Sequence, residues 1–201
     1  MAIKYSEANL GQIEAAINKL GGMDGLRRFL AGELVVSGKK VSVSKSALLA
    51  FIDSIELPAV ECFVASKKFV TNSTPDGVRL YFVSDNIKTN FLAKVEKDVA
   101  AAALYSHRLT KDSLDKSILD ELGDRATTTL AHLWELLKKQ PKGEKGVLLT
   151  NGYANIFYVE DVNGNRWAVY AYWSAGSGWC VGALSVSDPD GWDAGRVVFS
   201  R

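Results

Sequence analysis

The sequence predicts an α+β protein, and two observations carry that expectation. Most of residues 1–141 show apolar stripes at helical spacing. The last 60 residues, from Lys142, instead hold ten of the chain's 20 aromatic residues and nine of its 17 glycines, a composition suited to strands joined by tight turns. The change falls at Pro141-Lys-Gly-Glu-Lys-Gly146. The expected architecture is a set of N-terminal and middle helices packed on an antiparallel, aromatic-rich C-terminal meander. Its segments are expected at 1–58, 59–141 and 142–201, or as one compact domain.

The elements follow in order. Ser6 caps a helix with Leu10, Ile13, Ile17 and Leu20 on one face, and Gly21-Gly22 stops it. A second helix from Asp24 places Leu26, Phe29 and Leu30 inward and Arg27 and Arg28 outward; these arginines, with Lys39 and Lys40, are the densest basic feature of this region and read as a solvated face. After an extended piece, Leu34 to Val43, a third helix capped by Ser44 or Ser46 carries Leu48, Leu49, Ile52 and Ile55 up to Pro58. Val60 to Val70 and Val78 to Ser84 flank Asn72-Ser-Thr-Pro-Asp-Gly77 and read as a hairpin. Asp85 or Asn86 then caps a helix with Ile87, Phe91, Leu92 and Val95, continuing through the alanines to Leu104. Two further helices are expected, one along Leu114, Ile118, Leu119 and Leu122 to Gly123, the other along Leu130, Leu133, Trp134 and Leu137 to Pro141.

In the C-terminal part, Asn163-Gly164 is the strongest turn signal, because a two-residue type I′ turn needs positive φ at both positions. Such a turn pairs Asp161 with Arg166, Val159 with Ala168 and Phe157 with Tyr170. Trp179 to Val186 and Val197 to Phe199 complete the expected strands.

Composition excludes several function classes. There are 24 Lys plus Arg against 23 Asp plus Glu, a net charge of +1, whereas nucleic-acid and anionic-membrane binding call for excess cations. The longest apolar run, Val99 to Tyr105, falls far below the roughly 20 residues that cross a bilayer. The opening Met1-Ala-Ile-Lys-Tyr-Ser-Glu has no apolar leader core, and two separated cysteines suit a reducing compartment, so a cytoplasmic location is expected.

Candidates for chemistry are few. Of the two histidines, His132 lies off its helix stripe and is expected at the surface, and His107 is expected at a helix-to-loop transition. Cys62 and Cys180 stand in apolar strand contexts and read as packed, inert thiols. No Cys or His pair has zinc spacing, and Gly21-Gly22, Gly25 and Gly143-Glu-Lys-Gly146 match no phosphate loop, so no metal and no cofactor are expected. Asp188-Pro-Asp-Gly-Trp-Asp193 lacks the downstream Glu of a calcium loop and reads as a turn.

The aromatic residues stand out. Alternation along Trp167 to Trp173 sets Trp167, Val169, Ala171 and Trp173 on one face and Tyr170 and Tyr172 on the other. An uncovered tyrosine face would offer flat amphipathic rings for stacking. The candidate binding residues are accordingly Tyr170, Tyr172, Trp173, Trp179 and Trp192, in a non-catalytic module whose partner is a protein or a small molecule. Aromatic sheet faces also make homo-oligomers plausible. The rival reading is a small hydrolase or transferase using Asp161, Asp188, Asp190 or Asp193 with His107 or tyrosines. From Lys142 onward, five Lys plus Arg against six Asp plus Glu make 5 − 6 = −1, which disfavours single-stranded nucleic acid on the same rings.

Two blocks, Leu20-Gly-Gly-Met-Asp-Gly-Leu-Arg-Arg-Phe-Leu-Ala-Gly-Glu-Leu34 and Gly178-Trp with Ser185-Val-Ser-Asp-Pro-Asp-Gly-Trp192 and Arg196-Val-Val-Phe-Ser-Arg201, resemble segments of uncharacterised bacterial hypothetical proteins. The resemblance covers about a quarter of the chain and implies a bacterial origin, with no activity and no site attached.

Overall fold

The computed structural model describes residues 17–18, 20, 22–31 and 47–201, and the chain divides into two units, residues 1–45 and 46–201. The helix expected from Ser6, the extended piece 34–43 and the caps at Ser44 and Ser46 lie wholly or largely outside the described residues. In the first unit, α1 (Gly22–Leu30) forms where the second helix is expected. Its buried position is Gly25, which lies so close to the Leu20 carbonyl that a Cβ would collide with it. Leu26 is half-buried, whereas Phe29 and Leu30 are exposed, against the inward stripe expected of them.

The second unit has mixed α and β content. Its strands are β1 (Leu49–Leu57), β2 (Val60–Val64), β3 (Leu80–Val83), β4 (Val95–Val99), β5 (Ala102–Leu109), β6 (Asn155–Glu160), β7 (Arg166–Ser174), β8 (Gly178–Ser185) and β9 (Val197–Ser200). Its helices are α2 (Ala65–Lys68), α3 (Asp85–Asn90), α4 (Asp115–Leu122) and α5 (Leu130–Lys139). A seven-stranded sheet runs β1-β5-β9-β6-β7-β8-β3, and β2 and β4 form a separate pair. The meander β6-β7-β8 is present, but β9 pairs parallel with β6 and β3 parallel with β8, so the sheet is mixed.

Three expected elements are replaced. The helix over 48–55 is instead β1, paired antiparallel with β5 from Leu49↔Leu109 to Leu57↔Ala102, with a bulge between Phe51 and Asp53. The helix expected through the alanines stops at Asn90, capped by Ser84; β4 and β5 follow. The hairpin around 72–77 does not form, because β2 pairs with β4 and β3 with β8. In each case pairing between residues far apart in sequence overrides a local helical or hairpin pattern.

The β6–β7 turn also departs from the expected register. Glu160 pairs with Arg166, Val159 with Trp167 and Phe157 with Val169, one residue from the two-residue turn. Gly164 alone has the positive φ (81°), because the Asp161 carboxylate accepts from the backbone N–H groups of Asn163 (2.8 Å) and Asn165 (2.9 Å) and closes a five-residue loop.

The sheet carries two apolar layers. On one face α5 sets Leu130, Leu133, Trp134 and Leu137 with Phe157, Val169, Trp179, Val181 and Phe199. On the other, Ile118 and Leu122 of α4 join Ile156, Tyr158, Ala168, Val198 and Trp192. The central strand β6 is buried on both faces from Asn155 to Val159, which accounts for its near-continuous apolar sequence. The α5 N-terminus is held by Glu96, whose carboxylate accepts from the N–H groups of Leu130 (3.1 Å) and Ala131 (2.8 Å).

His132 is buried, against the surface position expected for it. It belongs to the α5 cap: the Thr129 hydroxyl accepts from His132 N–H (3.1 Å), and His132 Nδ1 accepts from Thr129 N–H (3.3 Å). Burial, seconded by Arg201, lowers its pKa to about 4. The unfolded chain therefore takes up the proton first, and stability is lost as pH falls from about 6.5 towards 4. At pH 5 the loss attributable to His132 is expected to be about 2 kcal/mol. Urea unfolding at pH 5 and 7.5 checks this, with His132→Gln, whose side-chain oxygen can retain the cap, flattening the difference; an equal pH dependence in the variant would refute the assignment.

Candidate functional site

The five candidate aromatic residues divide between the two sheet faces. Trp179 is fully buried in the α5-side core, donates from Nε1 to the Gln140 carbonyl (2.8 Å), and meets Trp173 edge-on at 5.4 Å. It is a core residue and not part of an exposed platform, because β8 is covered on that face. Trp173 is half-buried, and its indole lies where a Cβ on Gly143 would stand.

Tyr170, Tyr172 and Trp192 gather on the opposite face. Tyr170 and Tyr172 are two residues apart on β7, so their rings align at 6.4 Å with 16° between planes. Tyr170 lies flat over its β8 partner Gly182, where any Cβ would enter the ring. Trp192 closes on Tyr170 edge-first at 5.6 Å. Both tyrosines are half-buried and Trp192 is buried. α4 packs in the layer that holds Ile156 and Tyr158 on this face, and Tyr170 packs against that layer while staying half-buried.

These side chains line a cleft of about 240 Å³ with Gly152, Ala154, Leu184 and Arg196. Arg196, absent from the sequence-level candidates, lies over the Trp192 ring at 5.4 Å, donates from Nη2 to Asp193, and has a buried Nε with no hydrogen-bond partner. The one signal that could have found it is its position four residues after Trp192 in a turn-rich segment. A hydrogen bond with the Cys180 thiol, then burial, pushes the Tyr172 hydroxyl up to about 12, and burial raises Tyr170. Both phenols stay neutral near pH 7, so the charged group lining the cleft is Arg196, whose guanidinium is paired with Asp193.

Behind the cleft, Trp192 is fixed by Asp115. The Asp115 Oδ1 atom accepts from Trp192 Nε1 (2.8 Å) and from the Tyr158 hydroxyl (2.6 Å), all three side chains being buried. Burial raises the Asp115 pKa, and the nearby Asp188 adds to the rise, against the two hydrogen bonds. It likewise raises that of Tyr158.

The residues of the rival enzyme reading are placed differently. Burial opposes ionisation of Asp161, but hydrogen bonds from Asn165, Trp167 and Asn163 outweigh it and hold the carboxyl below its usual range. All of them serve the loop. Asp188 caps the N–H of Asp190 (3.0 Å), and Asp193 pairs with Arg196. His107 lies in strand β5 and not at a helix end, with Nε2 at 3.1 Å from Ser200 Oγ. Burial, then Arg125, lowers its pKa, so the imidazole is neutral. With Phe51, Glu121 and Arg125 it lines a hollow of about 170 Å³. A histidine on a serine is the start of a nucleophile pair, but Ser200 is fully buried and Glu121 is occupied by the N–H groups of Leu48 and Leu49. An attacking oxygen needs its target within about 3.5 Å, an approach that this burial blocks.

Cys180 is buried as expected, whereas Cys62 is exposed, because β2 turns it away from the core. Among the described residues no cluster of three or more His, Cys, Asp or Glu side chains could hold a metal ion, and no helix is long and apolar enough to cross a membrane. Comparison with protein-family models, with curated proteins and with solved structures finds no match to this chain.

Proposed function

We propose that the protein is a non-catalytic binding module whose tyrosine cleft takes a small molecule with one flat or sugar ring and a hydrogen-bond-accepting group. The observation that carries this reading is the aligned, half-exposed Tyr170–Tyr172 pair, walled by Trp192 and the single guanidinium of Arg196. Aromatic faces supply stacking area, and the unpartnered Nε–H of Arg196, whose charge is already met by Asp193, favours a hydrogen-bond-accepting group. A hollow of about 240 Å³ is at the small end for ligand sites and suits one ring. The cleft lining brings together no carboxylate or histidine for acid–base work, which favours binding over turnover.

The test is chemical-shift mapping with benzoate, glucose and N-acetylglucosamine. At least one of these is expected to shift the amides of Tyr170, Tyr172, Gly182 and Arg196 saturably. Tyr170→Ala with Tyr172→Ala should weaken that binding by at least about tenfold while the fold persists. If the double variant unfolds, the tyrosine face is core; Tyr172→Ala alone then decides, and unchanged binding in it refutes the reading.

A further inference from the structure

We infer a second ligand site, separate from the tyrosine cleft, in which Trp173, Arg79 and Lys142 bind a small anionic ring compound of the nucleoside monophosphate class. A hollow of about 520 Å³ lies where the loop leading into β3, the segment after α5 and the β7–β8 turn meet. It is lined by Trp173, Arg79, Lys142, Thr74, Ser177 and Pro141, with Gly77 and Gly176 at the turns. Both glycines have positive φ, 81° and 77°, so these turns come near the hollow without side chains. The volume falls inside the range of about 300–1,000 Å³ typical of small-molecule sites.

Charge defines the ligand. Among the described residues no carboxylate is within ion-pairing distance of Arg79 or Lys142. The carboxylates closest in sequence to the lining are taken up in other hydrogen bonds and pair with neither cation. Asp76 accepts from Lys68 Nζ (2.5 Å) and Trp134 Nε1 (2.7 Å), and hydrogen bonds from these two hold its pKa below the usual range. Glu144 accepts from the Lys142 backbone N–H (2.8 Å). Two unneutralised cations and two hydroxyls, Thr74 and Ser177, therefore share a hollow with an indole. A guanidinium and an ammonium suit the several oxygens of a phosphate, and a tryptophan ring suits a planar base. The cation count makes an oxyanion the expected occupant, and the volume leaves room for a ring beside it.

The experiment titrates the full chain with the four ribonucleoside monophosphates, adenosine and inorganic phosphate, following heat and tryptophan fluorescence. At least one monophosphate is expected to bind saturably, more tightly than adenosine or phosphate. Arg79→Gln with Lys142→Gln should weaken it by at least about tenfold. Trp173→Phe should diminish the fluorescence response. Arg79 and Lys142 are exposed, so their replacement keeps the test independent of Trp173 packing. The inference is overturned if no monophosphate binds saturably, if the Arg79/Lys142 variant binds as well as the parent, or if inorganic phosphate alone binds as tightly as the best monophosphate.

Discussion

Replacing Trp179 by alanine is expected to destabilise the protein by about 4 kcal/mol, the range of a fully buried tryptophan lost from a core. Trp179 has no exposed surface, packs in the core that also holds Trp134, Val181 and Phe199, and its indole N–H is satisfied by Gln140. Deletion leaves a large cavity and an unpaired carbonyl together. Chemical unfolding of Trp179→Ala and Trp179→Phe separates the two, since Phe refills most of the volume and loses only the hydrogen bond, at about 1–2 kcal/mol. A cost below about 1 kcal/mol for Trp179→Ala would return this residue to the surface role that its sequence context suggests.

Asp115→Ala is expected to cost about 3 kcal/mol and to lower the melting temperature by on the order of 10 °C. It strips the acceptor from two buried donors, the Tyr158 hydroxyl and the Trp192 indole, at once. Asp115→Asn should stay within about 1 kcal/mol of the parent, because both donors use the same oxygen and an amide oxygen can accept from both. The two forms should also differ with pH. Burial lifts the Asp115 pKa above its ordinary 3.8, so its contribution is full below about pH 4 and is lost as pH rises through the folded value. The Asn variant therefore gains on the parent from pH 4 to 7 in unfolding titrations; a constant difference would show that Asp115 is not the titrating group. Because Trp192 walls the tyrosine cleft, Asp115→Ala should also weaken the ligand binding proposed there, and Asp115→Asn should not.

Much of the local structure was legible. α4 ends at Gly123 (φ 59°) and α5 runs from the Thr129 cap to just before Pro141, where stop signals and apolar spacing agree. The strands β6, β7 and β8 fall where turn residues and aromatic runs place them. The split of β7 into a Trp167/Val169/Ala171 side and a Tyr170 side follows from period-two geometry and is observed. The one-residue register change at Asn163-Gly164 was not legible, because a side chain, Asp161, and not the backbone preference of the dipeptide, closes that loop.

Of the candidate site, Tyr170, Tyr172 and Trp192 come together as a cleft, Trp173 belongs to another hollow, and Trp179 to the core. Arg79 and Lys142 carried no signal, and Arg196 only its place four residues after Trp192, since a lone cation in a loop looks the same whether it faces solvent or an aromatic wall.

The sequence by itself determined that the chain mixes α and β elements, the C-terminal meander and the side to which each β7 residue points, because capping, turn chemistry and pleating act over a few residues. Only the tertiary structure decided that 49–57 and 95–109 are strands, that β9 enters between β5 and β6, and that β3 joins β8 in parallel. It also decided which aromatic rings are covered. Those outcomes depend on hydrogen bonds and burial between segments tens of residues apart, and such pairing energy outweighs the few tenths of a kcal/mol per residue by which local propensities differ.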